Sequence, residues 1–128
     1  FDKYIGDCIM CHFDGESKVQ NSYTTALKIL EKLHQLQKNS GYQISIWIGI
    51  HIGNVYAGSL GNENRMDHTI IGDNVNIASR LESLTREIWS DIVVSKDYFD
   101  AIDFETDFEF AGNYHLKGKD HTIDVYKM

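Results

Sequence analysis

The chain has 128 residues, a formal net charge of −7, two cysteines and no proline. That length supports one hydrophobic core rather than two. The acidic balance, with no basic stripe to displace counterions, excludes a nucleic-acid backbone as the main partner.

A small phosphate ligand stays open, because it needs only a few well-placed cations, backbone N–H groups or a metal. No apolar run is long enough for a membrane span and no signal-peptide pattern opens the chain. The expectation is a cytoplasmic segment without membrane contact of its own, whatever anchors the parent protein. Phe1 begins in strand-like sequence with no initiator Met, the pattern expected of a piece of a longer protein.

In chain order, residues 2–13 read as a hairpin: "KYI" and "DCIMCHF" flank the turn pair Gly6-Asp7. Lys3 stands four residues before that acid. Cys8 and Cys11 form an isolated C-x-x-C with no second pair to complete a zinc site, and on a strand their side chains point to opposite faces. Free thiols in a reducing compartment are expected.

From Glu16 to Lys38 the apolar residues Val19, Tyr23, Ala26, Leu27, Leu30 and Leu33 recur at helical spacing, and "NSG" at 39–41 ends the run. "YQISIWIGIHIG" (42–53) reads as a β-branched strand apolar enough for the middle of a sheet. After a turn at Gly53-Asn54 come the strand-like "NVYAGSL" and "HTIIG". A second helix follows over Asn74–Arg86, with Val75, Ala78, Leu81 and Leu84 on one face. "DIVVS" predicts a buried strand, 96–102 a short helix and 108–128 a closing hairpin. This interleaving predicts an α/β sandwich, with helices against a mostly antiparallel sheet.

The segment "GSLGNENRMDHTIIGDNVNIASRLE" (58–82) is the least generic. Asn76 and Arg80, four apart, share one face of the second helix, and Asp73 is a good N-cap for it. Neither a P-loop nor a G-x-G-x-x-G fingerprint occurs.

Taken together and in order, "FDKYIGDCIM", "IGIHIGNVYAGSLGNENRMDHTIIGDNVNIASRLE" and "LKGKDHTIDVY" resemble the catalytic domain of class III nucleotidyl cyclases, the adenylyl and guanylyl cyclases. The resemblance runs over almost the whole chain and implies a single, N-terminally incomplete cyclase domain over 1–128. The implied fold is a ferredoxin-like βαββαβ core lacking its first strand and helix. The implied reaction is ATP to 3′,5′-cyclic AMP and pyrophosphate, by attack of the ribose 3′-hydroxyl on the α-phosphorus with two Mg²⁺ or Mn²⁺ ions.

Residue by residue, the resemblance places Asp7 on the second of two metal-binding aspartates; the first would lie upstream of Phe1. Lys3 and Thr69 fall on the base-recognition positions. An ammonium there can donate to adenine N1 and a hydroxyl can accept from the adenine amino group, and this pair marks a subgroup of adenylyl cyclases. Asn76 matches the ribose-positioning residue, Arg80 the one that stabilises the pentacoordinate phosphorus, and Lys117 the lysine on the terminal phosphates. The implied partner is a second cyclase domain in a homodimer with shared sites. Lys3, Asp7 and Thr69 then face Asn76 and Arg80 from across the interface. With only one metal aspartate, residues 1–128 alone are expected to turn over little or no nucleotide. Two alternatives are a guanylyl cyclase, which Lys3 opposes, and a non-catalytic cyclase-like regulatory domain, which the intact Asp7, Asn76 and Arg80 oppose.

Overall fold

The computed structural model describes residues 3–5, 7–41, 43–60, 67–71, 73–116 and 122–128, with the strands 3–5, 56–60 and 67–71 given by their backbone. Eleven elements follow one another: β1 (Lys3–Ile5), β2 (Cys8–Met10), α1 (Lys18–Ser40), β3 (Ile48–Ile50), β4 (Tyr56–Leu60), β5 (Asp67–Ile71), α2 (Asp73–Ile88), β6 (Ile92–Ser95), α3 (Lys96–Ala101), β7 (Glu109–His115) and β8 (Thr122–Lys127). The predicted α/β sandwich is what the chain forms.

Its centre is a four-stranded sheet of order β3-β6-β8-β7, in which only β3 and β6 run parallel. β1-β2 and β4-β5 are separate antiparallel hairpins. Successive side chains of a strand point to opposite faces, and the core divides accordingly. Ile48, Ile50, Ile92, Val94 and Tyr126 pack with Val19, Ala26 and Leu30 of α1 and Tyr98 and Phe99 of α3. On the other face Val93, Val125 and Ile123 pack with Ile77, Leu81, Leu84 and Ile88 of α2. Three layers result, with α2 the one helix on its side among the described residues.

Both long helices end in a left-handed residue that turns the chain back. Gly41 does so after α1 (φ 75°), its N–H reaching the Gln37 carbonyl, and Trp89 after α2 (φ 61°), where Ser90 N–H reaches the Thr85 carbonyl. α1 and α2 lie within two residues of their predicted bounds. Asp73 is the first residue of α2 rather than the residue before it, so its carboxylate favours the helix through the positive N-terminal end.

One expectation fails. The strand predicted over 42–53 is only Ile48–Ile50, and it lies at an end of the sheet order, not in its middle. The reason is the partner. Ile48 pairs with Ile92 and Ile50 with Val94, so residues before 48 would need ladder partners in the turn that ends α2, and those after 51 would run into α3. Apolar β-branched sequence favours an extended path, but ladder length is set by the neighbour. Residues 43–47 instead run beside α1, where Gln37 donates to the Ile44 carbonyl and Ile46 lines an apolar groove of about 410 Å³ with Ile29, Leu33 and Leu36.

Candidate active site

α2 carries the two central candidates. Its amphipathic pattern turns Ile77, Leu81, Leu84 and Ile88 into the core, which leaves Asn76 exposed and Arg80 half-buried along the rim. The guanidinium of Arg80 is held loosely: Nε donates to the His115 carbonyl at 3.4 Å, and Nη1 lies 3.8 Å from Glu87 Oε1. Arg80 thus leans on the last residue of β7, two positions before Lys117 in sequence. Lys117 itself lies outside the described residues.

Asp7 is exposed in the turn between β1 and β2, where Ile5 pairs with Cys8. Lys3 pairs with Met10 in the same hairpin, and Thr69 pairs with Gly58 in the β4-β5 hairpin; both are placed by backbone register. Among the described residues no group of three or more His, Cys, Asp or Glu side chains could share a cation. Asp7, whose Oδ1 accepts a weak bond from the Cys8 thiol at 3.8 Å, has the right donor chemistry for a hard divalent ion, an exposed carboxylate, but supplies one ligand. Cys8 and Cys11 are free and exposed, as expected.

The structure does not bring Asp7 to Asn76 and Arg80. Asp7 lies instead on the flank of α2 that carries Glu82 and Arg86. There Arg86 grips Glu82 with both terminal nitrogens (Nη2–Oε2 3.2 Å). That hydrogen bond first, and the charges of Glu82, Cys8 and Asp7 after it, push the Arg86 pKa up. The Cys8 thiol, though largely exposed, is pushed up by partial desolvation and then by the charges of Glu82 and Asp7. Glu82 is two residues beyond Arg80, about 200° round the helix. Asp7 and Arg80 therefore address opposite flanks of the same helix.

A hydrogen-bonded cluster that sequence reasoning missed sits under the start of α2. His51 Nδ1 is 2.6 Å from Ser95 Oγ, and His51 Nε2 is 2.8 Å from Asn74 Oδ1. The signal was available: Gly49, His51 and Gly53 alternate with Ile48, Ile50 and Ile52, and the isoleucines take the α1 face. A Cβ on Gly49 would stand 2.3 Å from the Glu82 nitrogen and 2.8 Å from the Ala78 carbonyl oxygen. Backbone meets backbone there, which only glycine allows.

The structure is an α/β sandwich with Asn76 and Arg80 one turn apart along the rim of α2. Comparison with known proteins completes the assignment. Residues 3–128 match the family model for the adenylate and guanylate cyclase catalytic domain, and the chain belongs to that family. It is 33% identical to an adenylate cyclase of Anabaena cylindrica over 99% of its own length and 27% of that protein's. It is similar to a bacterial light-regulated adenylyl cyclase of known structure, with 30% identity and a TM-score of 0.83 over 99% of this chain and 38% of the other. It is also similar to the guanylate cyclase domain of RhGC from Catenaria anguillulae in complex with GTP, at 27% identity and a TM-score of 0.72, covering 88% and 59% of the two chains. The chain thus spans well under half the length of the Anabaena and light-regulated cyclases.

Proposed function

We propose that this domain serves an adenylyl cyclase that converts ATP to 3′,5′-cyclic AMP and pyrophosphate in a pocket shared by two copies. The ribose 3′-oxygen bonds to the α-phosphorus and loses its proton. The bond from that phosphorus to the bridging oxygen breaks, and pyrophosphate leaves. Asn76 orients the ribose by hydrogen bonding. Arg80 supplies a planar fork of donors to the charge that develops on the α-phosphoryl oxygens, and Lys117 meets the terminal phosphates. Lys3 donates to adenine N1 and Thr69 accepts from the adenine amino group, which favours ATP over GTP. Asp7 would hold one of two divalent ions, Mg²⁺ or Mn²⁺, which when bound neutralise triphosphate charge.

The observation that carries the shared pocket is the placement of Asp7 and Arg80 on opposite flanks of α2. A two-fold pair can present Asp7 of one copy to Arg80 of the other. ATP as substrate is supported by the adenylate cyclases among the relatives and by Lys3.

The test uses the full-length enzyme. Asp7→Ala and Arg80→Ala homodimers should each lose activity by about 10²-fold or more. Their mixture should recover up to about a quarter of wild-type turnover, because half the dimers are mixed and each then holds one intact site. Cyclic AMP formed from ATP should exceed cyclic GMP formed from GTP throughout. A mixture that stays inactive while subunit exchange is verified would eliminate the shared pocket.

A further inference from the structure

A chain of hydrogen bonds runs from Asn74 at the start of α2 through His51 to Ser95 at the end of β6. Asn74 Nδ2 donates to the Asn54 carbonyl at 2.6 Å, so Asn74 Oδ1 is the atom turned to His51. An amide oxygen only accepts, so His51 Nε2 carries the proton of the 2.8 Å bond. In the neutral imidazole Nδ1 is then the lone-pair nitrogen and accepts the Ser95 hydroxyl proton at 2.6 Å. Ser95 Oγ, completely buried, in turn accepts from the Tyr98 N–H at 3.2 Å as the N-cap of α3. One imidazole tautomer satisfies every bond.

The site is shaped around this chain of bonds. Ser95 and His51 stand side by side because β3 and β6 pair in parallel with Ile50 opposite Val94. A Cβ on Gly53 would fall 2.5 Å from the Asn74 side chain, so the turn after β3 leaves room for that amide and no more. Asn74 lies in the first turn of α2, two residues before Asn76, and Arg80 follows one turn later.

We propose that His51 is a positioning residue for the cyclase reaction. Through its Nε2–H bond to Asn74 Oδ1 it anchors the first turn of α2 to β3 and so sets where Asn76 and Arg80 meet the nucleotide. This rests on the roles proposed above for those two residues. Positioning errors of an ångström at a reacting centre cost up to about 10²-fold in rate. A histidine that only filled space would be replaceable by any side chain that keeps the fold. The anchor requires a donor at the Nε2 position.

Two substitutions separate these roles. His51→Gln places an amide N–H where Nε2 was and keeps the bond to Asn74. His51→Asn places an oxygen where Nδ1 was and keeps the bond to Ser95 while giving up Asn74. In the full-length enzyme kcat should fall about tenfold or more in His51→Asn and within about threefold in His51→Gln. KM for ATP should change little in either, since the lost alignment acts on the transition state.

Amide hydrogen exchange over residues 74–80 supplies a readout independent of activity. Exchange there should quicken in His51→Asn and stay near wild type in His51→Gln, with melting temperatures of both variants recorded as the folding control. Rescue by Asn rather than Gln, or equal exchange in the two variants, would overturn the anchor. If the wild-type enzyme proved inactive with ATP, the proposed reaction would fall, and the exchange comparison would still decide whether His51 anchors α2.

Discussion

On the face of the sheet that meets α1 and α3, Ile48, Ile50, Ile92, Val94 and Tyr126 fill space with side chains, and Phe99 stacks on Tyr126 at 3.9 Å between ring centroids. On the face that meets α2, the edge strand offers Gly49, which has no side chain, and His51, which is spent on hydrogen bonds. The first face is an apolar interface of the usual kind, in which volume can be traded between neighbours. The second is apolar too, with Val93, Val125 and Ile123 against α2, but at Gly49 it brings helix backbone onto strand backbone, where nothing can be traded. The candidate active-site residues ride on the helix held by the second. Backbone contact and hydrogen bonds added to apolar packing fix a helix more narrowly than apolar packing alone, and the proposed chemistry needs that accuracy.

Adding one carbon to the α2 face should have the largest effect. Gly49→Ala drives a methyl into the Glu82 nitrogen and the Ala78 and Leu81 main chain, and neither helix nor strand can yield by rotating a side chain. Destabilisation of about 3 kcal/mol or more is expected, read as a lower denaturant midpoint in equilibrium unfolding. A midpoint close to wild type would mean that α2 is seated less tightly than the contact implies.

Removing one carbon from the opposite face is the matched change. Ile92 is fully buried among Ala26, Val94 and Tyr98, and Ile92→Val should cost about 1 kcal/mol. The same unfolding curve measures it. If this loss equalled that of Gly49→Ala, the contrast between the two faces would collapse.

The smallest change concerns the polar contact within the α1 face. Tyr98 Oη lies 2.7 Å from Ser22 Oγ and donates to the Val19 carbonyl at 3.0 Å. Tyr98→Phe should cost about 1 kcal/mol at neutral pH. Desolvation raises the Tyr98 pKa, with the Ser22 hydrogen bond opposing it. The folded chain therefore keeps a proton that the unfolded chain releases near pH 10. That contribution is complete below about pH 10 and is lost as pH rises toward the folded value. Stability should fall more steeply through about pH 10 in wild type than in Tyr98→Phe. Parallel pH profiles for the two proteins would show the phenol to be wetter than its contacts imply.

Much of this fold was legible from periodicity. The spacing of Val19, Ala26 and Leu30 and of Leu81 and Leu84 marks two helices, and alternation marks the hairpins around residue 7 and before residue 128, because these patterns are local. The i,i+4 relation of Asn76 and Arg80 is local too, and it placed both on one helix face before any packing was known. The extent of β3 was not legible, since its ladder is limited by the four residues of β6. Lys3 and Thr69 are placed only by strand register, and Lys117 lies outside the described residues, so their convergence on a nucleotide rests on family likeness.

Sequence by itself determined the family, the α/β sandwich class of the fold and which residue types are available for phosphoryl chemistry, because hydrophobic period and motif spacing are properties of neighbours along the chain. Tertiary structure alone decided that Asp7 and Arg80 address opposite flanks of α2, and that His51 reaches Asn74 and Ser95, 23 and 44 residues away. Those relations depend on how a hairpin and a strand dock against one helix. Docking is set by close packing among segments distant in sequence, where a single missing side chain at Gly49 decides how near the backbones come.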